Sequence, residues 1–132
     1  MIAGIVGLYQ AHALFAHRLP FIGIQVAAVL LMIAARITFG RRSFHAAATP
    51  TAGGLVTTGP YAYLRHPIYA AVLYFSWAGT IDNPSWLAVA CVLSLTAGAV
   101  VRILSEERLL IKKYPDYRVY MGRVNRIVPF VL

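Results

Sequence analysis

The segment Gly59-Pro60-Tyr61-Ala62-Tyr63-Leu64-Arg65-His66-Pro67-Ile68-Tyr69 decides how the rest of the chain is read. Pro67 has no backbone N–H and a fixed φ, which suits the first turn of a helix, where that N–H would have no partner anyway. An apolar run to about Ile81 follows at once. The segment therefore sets an arginine, a histidine and tyrosines at the mouth of an apolar helix. Ionisable groups are expensive at such a depth unless they are partnered. This is where a polar ligand should be sought.

Working outward, the chain is rich in apolar residues: 60% of its 132 residues are hydrophobic and only 12% are charged. A soluble domain of this length carries a larger charged fraction, so lipid is the expected surrounding. The length suits one unit, residues 1–132. Four apolar segments are predicted as helices: about Ile2 to Ala16, Leu19 to Phe39, Pro67 to Ile81 and Pro84 to Leu104. The second and fourth reach the roughly 20 residues that a span needs, whereas the first and third are short. The expected fold is an all-α integral membrane protein with about four transmembrane helices, the first two forming an N-terminal hairpin over 1–39. Asp82-Asn83-Pro84 is a tight turn, making a second hairpin of the third and fourth helices. The apolar start reads as a retained first helix and not as a signal peptide.

The net charge of +8 is not spread evenly. Arg36, Arg41, Arg42 and Arg65 lie in the second loop, and seven more basic residues from Arg102 to Arg126 lie in the tail. Arg18 alone lies on the other side. By the positive-inside rule this eleven-to-one bias makes the second loop, the tail and both termini cytoplasmic. Basic residues at the ends of apolar runs point to lipid headgroups, not to nucleic acid. The second loop, Gly40 to about Gly59, carries the breakers Gly53-Gly54. Beyond Leu104 the pattern becomes amphipathic, Tyr114-Pro115 breaks it, and Asp116 is expected to cap a short basic helix from Tyr117 to about Val124. Short cytoplasmic amphipathic helices are thus expected at the C-terminal end.

Two polar clusters fall on the cytoplasmic side: Tyr61, Arg65, His66 and Tyr69 at the entry to the third helix, and Arg102, Glu106 and Glu107 at the exit of the fourth. The hairpin brings its open ends together, so a donor-rich cluster faces a carboxylate cluster, as a zwitterionic ligand requires. Singly, each residue has a structural reading. Arg102 and Glu106 are four apart and can pair, Arg65 can snorkel, and the tyrosines can belong to an interfacial belt. No His, Cys or carboxylate pair has metal-ligand spacing, so no metal is expected. No glycine-rich dinucleotide motif or serine triad context occurs. Cys91 is mid-span and inert. His12, His17 and Gln25 either pack between helices or line a substrate tunnel.

Leu55-Val56-Thr57-Thr58-Gly59-Pro60-Tyr61, Arg65-His66-Pro67-Ile68-Tyr69, Glu106-Glu107-Arg108-Leu109-Leu110, Tyr114-Pro115-Asp116-Tyr117-Arg118-Val119-Tyr120 and Arg126-Ile127-Val128-Pro129 together resemble the isoprenylcysteine carboxyl methyltransferase family, which is related to the membrane phospholipid N-methyltransferases. The resemblance implies a multi-pass membrane methyltransferase using S-adenosyl-L-methionine, with a cofactor-binding core over 55–129. It implies that Tyr61, His66, Pro67 and Tyr69, with Glu106, Glu107, Tyr117 and Tyr120, bind the cofactor, and that Arg123 and Arg126 help to close the pocket. Arg65 and Glu107 are the expected catalytic pair, Glu107 serving as base for an amine acceptor. The acceptor would be lipophilic, either a prenylated-cysteine-like carboxylate or a lipid headgroup amine. Homo-oligomerisation is compatible with this reading. A small four-helix transporter is the rival, disfavoured because Asp82, Glu106, Glu107 and Asp116 lie at helix ends or in the tail. A non-catalytic lipid-binding subunit is the other.

Overall fold

The computed structural model describes residues 2–46 and 59–128, with the backbone alone for 39–46. The described residues form five α-helices: α1 (Ile2–Gln10), α2 (Leu19–Ala46), α3 (Pro67–Asp82), α4 (Trp86–Lys113) and α5 (Tyr117–Arg123), with a 3-10 turn at Gly59–Ala62 before α3. Leu64 and Asn125 form an isolated parallel bridge.

Pro67 occupies the first turn of α3, as its missing N–H predicts. Ser85 caps α4, its hydroxyl accepting the Ala88 N–H at 3.0 Å. Lys112 and Lys113 in the last turn of α4 complement the helix dipole. Two corrections concern helix ends. α2 continues past Phe39 to Ala46, and α4 runs through the amphipathic stretch to Lys113 as one helix. Hydropathy marks where apolar contact stops, but the helical hydrogen-bond ladder runs on, through Gly40 in α2 and up to Tyr114-Pro115 after α4. The remainder of the expected loop, 47–58, lies outside the described residues. A third correction is Asp116. It precedes α5, but its backbone is already helical (φ −74°, ψ −10°) and its side chain makes no cap hydrogen bond.

Among the described residues, two helices are long and apolar enough to cross a membrane: Leu19–Thr38, with mean hydropathy 2.0, and Trp86–Lys113, with 2.2. Only 17% and 28% of those windows are buried inside the protein, unlike core helices of a soluble fold. The apolar side chains on α2, including Val26, Leu30, Ile33 and Ile37, point outward. A water-facing surface rarely carries so continuous an apolar face. α1, with 9 residues, and α3, with 16, are shorter than a straight span, so two of the four expected spans meet that length among the described residues.

α3 packs against α2 and α4, and α1 lies along α4. The core gathers Leu8, Ala13, Leu73, Ala88, Val92, Leu95 and Ala99. At the end away from the Arg-His pair, the turn after α1 is held by buried polar groups. Gln25 spends its amide on three partners: it accepts from the Ala16 N–H (2.9 Å) and donates to the Leu14 (2.8 Å) and Phe75 (3.0 Å) carbonyls. It therefore packs between helices. Asp82 accepts the His17 and Arg18 amides at 2.5 and 3.2 Å. His12 adopts φ +55° beside this turn, and both His12 and His17 are exposed. Gly79 permits the close crossing, because a Cβ there would collide with the Ala13 and Leu14 carbonyl oxygens.

Candidate functional site

The opposite end of the bundle collects the 3-10 turn, the start of α3, the end of α4 and α5. Glu107 is its centre. It is 3% exposed and faces inward from α4. Its Oε1 lies 3.1 Å from His66 Nε2 and 3.2 Å from Arg65 Nη1, and its Oε2 accepts from Arg126 Nε at 3.2 Å. A carboxylate only accepts, so the neutral imidazole must carry its proton on Nε2. One residue earlier on α4, Glu106 accepts the Tyr69 hydroxyl at 2.5 Å. The Tyr69 ring is 6.0 Å from that of His66 and 6.0 Å from the Arg102 guanidinium.

The tail closes the ring. The amides of Arg65 and His66 donate to the Asn125 and Arg126 carbonyls at 2.7 and 3.0 Å, and the Tyr74 hydroxyl donates to the Ile127 carbonyl. From α5, the Tyr120 hydroxyl donates to the Tyr61 carbonyl at 2.6 Å, and Tyr117 stacks obliquely on Tyr120 with centroids 5.7 Å apart. Tyr61, Arg65, His66, Pro67, Tyr69, Glu106, Glu107, Tyr117 and Tyr120 thus converge on one region.

Among the described residues, some donors in this region have no aligned acceptor. Arg65 Nη1 is near enough to Glu107 for an ion pair, yet neither it nor Nε is directed along a hydrogen bond, and the side chain is only 8% exposed. The Tyr117 hydroxyl, on a residue 2% exposed, lies beside the Arg65 guanidinium and likewise has no aligned acceptor. Leaving such donors buried costs about 1–3 kcal/mol each. An anionic oxygen would satisfy them.

Electrostatics favour the same sign. Burial pushes the His66 pKa below its ordinary value and outweighs the pull of Glu107 and Glu106, with Arg65 pushing the same way as burial. Burial raises Tyr61 and Tyr117 to about 12, so both remain neutral donors. With His66 neutral, the guanidinia of Arg65, Arg102 and Arg126 exceed the carboxylates of Glu106 and Glu107 by one charge.

Of the two readings of Arg65, the side chain takes the one inside the cluster: it is buried against Glu107 and does not snorkel. Arg102 reaches the Tyr69 ring. The backbone pairing of 65–66 with 125–126, and the role of Tyr74, were not anticipated. Their only sequence signal is the Arg126-Ile127 run, which does not itself specify a partner.

The description phospholipid methyltransferase belongs to the family that matches residues 19–117, about three quarters of the chain. The chain belongs to the phospholipid methyltransferase family. Methanethiol S-methyltransferase 1 of Bradyrhizobium diazoefficiens is 35% identical over 71 residues, covering 53% of this chain. That stretch spans 24% of the relative's length. No solved structure matches. Both matches fall in the group of membrane methyltransferases that the Arg-His-Pro and Glu-Glu segments resemble. Family membership and two apolar helices agree on a membrane protein.

Proposed function

We propose that this protein is a multi-pass membrane methyltransferase that uses S-adenosyl-L-methionine to methylate a lipophilic acceptor at the membrane–cytoplasm boundary. The observation that carries the reading is the buried cluster in which Arg65 and Tyr117 present donors beside Glu106, with Glu107, bonded to His66, at its centre. The donor set fits the cofactor. Arg65 and Tyr117 would take its carboxylate, whose oxygens match their unpartnered N–H and O–H groups. Glu106, held by Tyr69, would take a cationic group. Tyr61, His66, Pro67 and Tyr120 would wall the pocket. In this reading Glu107, with donors already on both oxygens, orients Arg65 and His66. When bound, the cofactor supplies an electrophilic methyl group on sulfonium sulfur. The protein's contribution is to align the acceptor and exclude water, which can supply roughly 7–11 kcal/mol.

Depth supports the boundary location. Trp86 is 92% exposed at the start of α4, a position typical of an interfacial anchor. Glu107 follows about 32 Å further along the helix, close to the roughly 30 Å thickness of the hydrocarbon. A water-soluble cofactor can reach that level from the cytoplasm, while a lipophilic acceptor arrives from the bilayer. The acceptor classes in view are a prenylated-cysteine-like carboxylate and a lipid amine. A thiol is a second reading, favoured by the name of the Bradyrhizobium relative.

The test is calorimetry of the detergent-solubilised protein with S-adenosyl-L-methionine. We expect saturable binding that is lost in His66→Ala and in Glu107→Gln while both variants still insert. Glu107→Gln also leaves Arg65 and Arg126 without their shared anion, a loss of about 3 kcal/mol in stability. Unchanged affinity in both variants would reject the site. Isotope-labelled cofactor incubated with membrane extract, followed by mass spectrometry, then identifies the acceptor.

A further inference from the structure

Glu107 divides its two oxygens unequally. Oε1 faces Arg65 and His66, and Oε2 faces Arg126 alone. Arg126 also differs in setting, because its side chain is 37% exposed whereas those of Arg65, His66 and Glu107 are at most 8% exposed. It is the solvent-side end of an otherwise buried network. Its own carbonyl accepts the His66 amide, and its neighbour Asn125 accepts that of Arg65. The same short segment therefore grips the Arg-His pair through the backbone and, by way of Glu107, through the side chains.

We propose that Arg126 is a positioning residue: it holds Glu107 Oε2 away from Arg65, so that the Nε and Nη1 donors of Arg65 stay available to an anionic ligand. This inference rests on the reading of Arg65 as a ligand donor. Without Arg126, Oε2 would be a buried, unpaired carboxylate oxygen, a costly state. The nearest remedy is the fork of Arg65, whose geometry suits a carboxylate in bidentate fashion. Rotation of Glu107 toward it would satisfy both groups and consume the donors meant for the ligand. The fold would survive while the ligand would lose its partner.

The experiment uses the full chain in detergent and compares Arg126→Met with Arg126→Lys. The groups acting on the His66 ring are Glu107 and Glu106 from α4 and Arg65 beside it, with the Tyr69 ring 6.0 Å away on α3; Arg126 from the tail acts on it through Glu107 Oε2, and Tyr117 of α5 lies near Arg65. Removing the Arg126 cation, which shares the Glu107 carboxylate with the imidazole, should raise the His66 titration midpoint, read by NMR of labelled histidine. S-adenosyl-L-methionine affinity should fall about tenfold in Arg126→Met and stay within about twofold in Arg126→Lys, which keeps the charge. Should Arg126→Met not fold, Arg126→Gln is read by the same measurements. A neutral variant with wild-type midpoint and affinity overturns the proposal. So does a lysine variant weakened as much as the neutral one. If the unaltered protein binds no cofactor, the proposed function fails, and the His66 titration alone then shows whether Arg126 acts on the network.

Discussion

His66 is a buried imidazole whose Nε2–H is committed to Glu107, with Arg65 alongside. Burial disfavours a second proton on the ring and outweighs the pull of Glu107 and Glu106, with Arg65 acting in the same direction as burial. The folded pKa of His66 is therefore depressed, while in the unfolded chain it titrates near 6.5. The sign follows by linkage. Above about 6.5 both states are neutral there and nothing is lost. Below it the unfolded chain binds a proton that the folded chain refuses, so stability falls as pH drops toward the folded value. Thermal unfolding in detergent should show a falling midpoint between about pH 7 and 5. His66→Gln should flatten that dependence, and an unchanged slope in the variant would contradict it. At this scale the sequence was informative wherever a charge was expensive. Arg65, His66, Glu106 and Glu107 stand out because apolar surroundings make them so. Arg126 does not stand out among many basic tail residues, and only the folded chain reveals which of them turns inward.

Helix starts were legible, and helix ends less so. Pro67 fixes its φ and Ser85 supplies a cap, and both signals are local. The ends of α2 and α4 lie where hydropathy has already changed but the hydrogen-bond ladder has not. The hydroxyls of Ser94, Thr96 and Ser105 in α4, and of Thr38 in α2, are satisfied by donating to carbonyls one turn back. Invisible to periodicity was the clamp of Gln25, Asp82 and Gly79 around the turn after α1, since it depends on three-dimensional approach. That approach gives a prediction. Gly79→Ala gains about 1 kcal/mol of helix propensity but drives a methyl group into two carbonyls, at a cost of up to about 3 kcal/mol. The net result should be a lower midpoint in detergent thermal unfolding. A midpoint equal to or above that of the unaltered protein would show that the turn can move aside.

For the molecule as a whole, the basic bias and the hairpin of α3 and α4 make a joint statement about sidedness. Asp116, beyond α4, should face the cytoplasm, and Pro84, in the α3–α4 turn, should face the other side. A membrane-impermeant maleimide should label Asp116→Cys in inverted vesicles only and Pro84→Cys in right-side-out vesicles only. Labelling of both from one side would defeat the topology and with it the placement of the charged cluster. Family and architecture were readable at this scale because the motifs are contiguous and ordered along the chain. The number of crossings was not, because α1 and α3 are too short to declare themselves by length.

The bridge between Leu64 and Asn125 has a consequence for biosynthesis. The apolar helices can enter the bilayer as they emerge from the ribosome, each on its own hydrophobicity. Arg65 and His66 must meanwhile wait at the surface until some sixty further residues have been translated, because their backbone partners are Asn125 and Arg126. During that interval an incompletely neutralised cationic pair borders the lipid. Inserted and competent are therefore separate stages in the life of this polypeptide, and a nascent chain stalled after α4 would reach only the first.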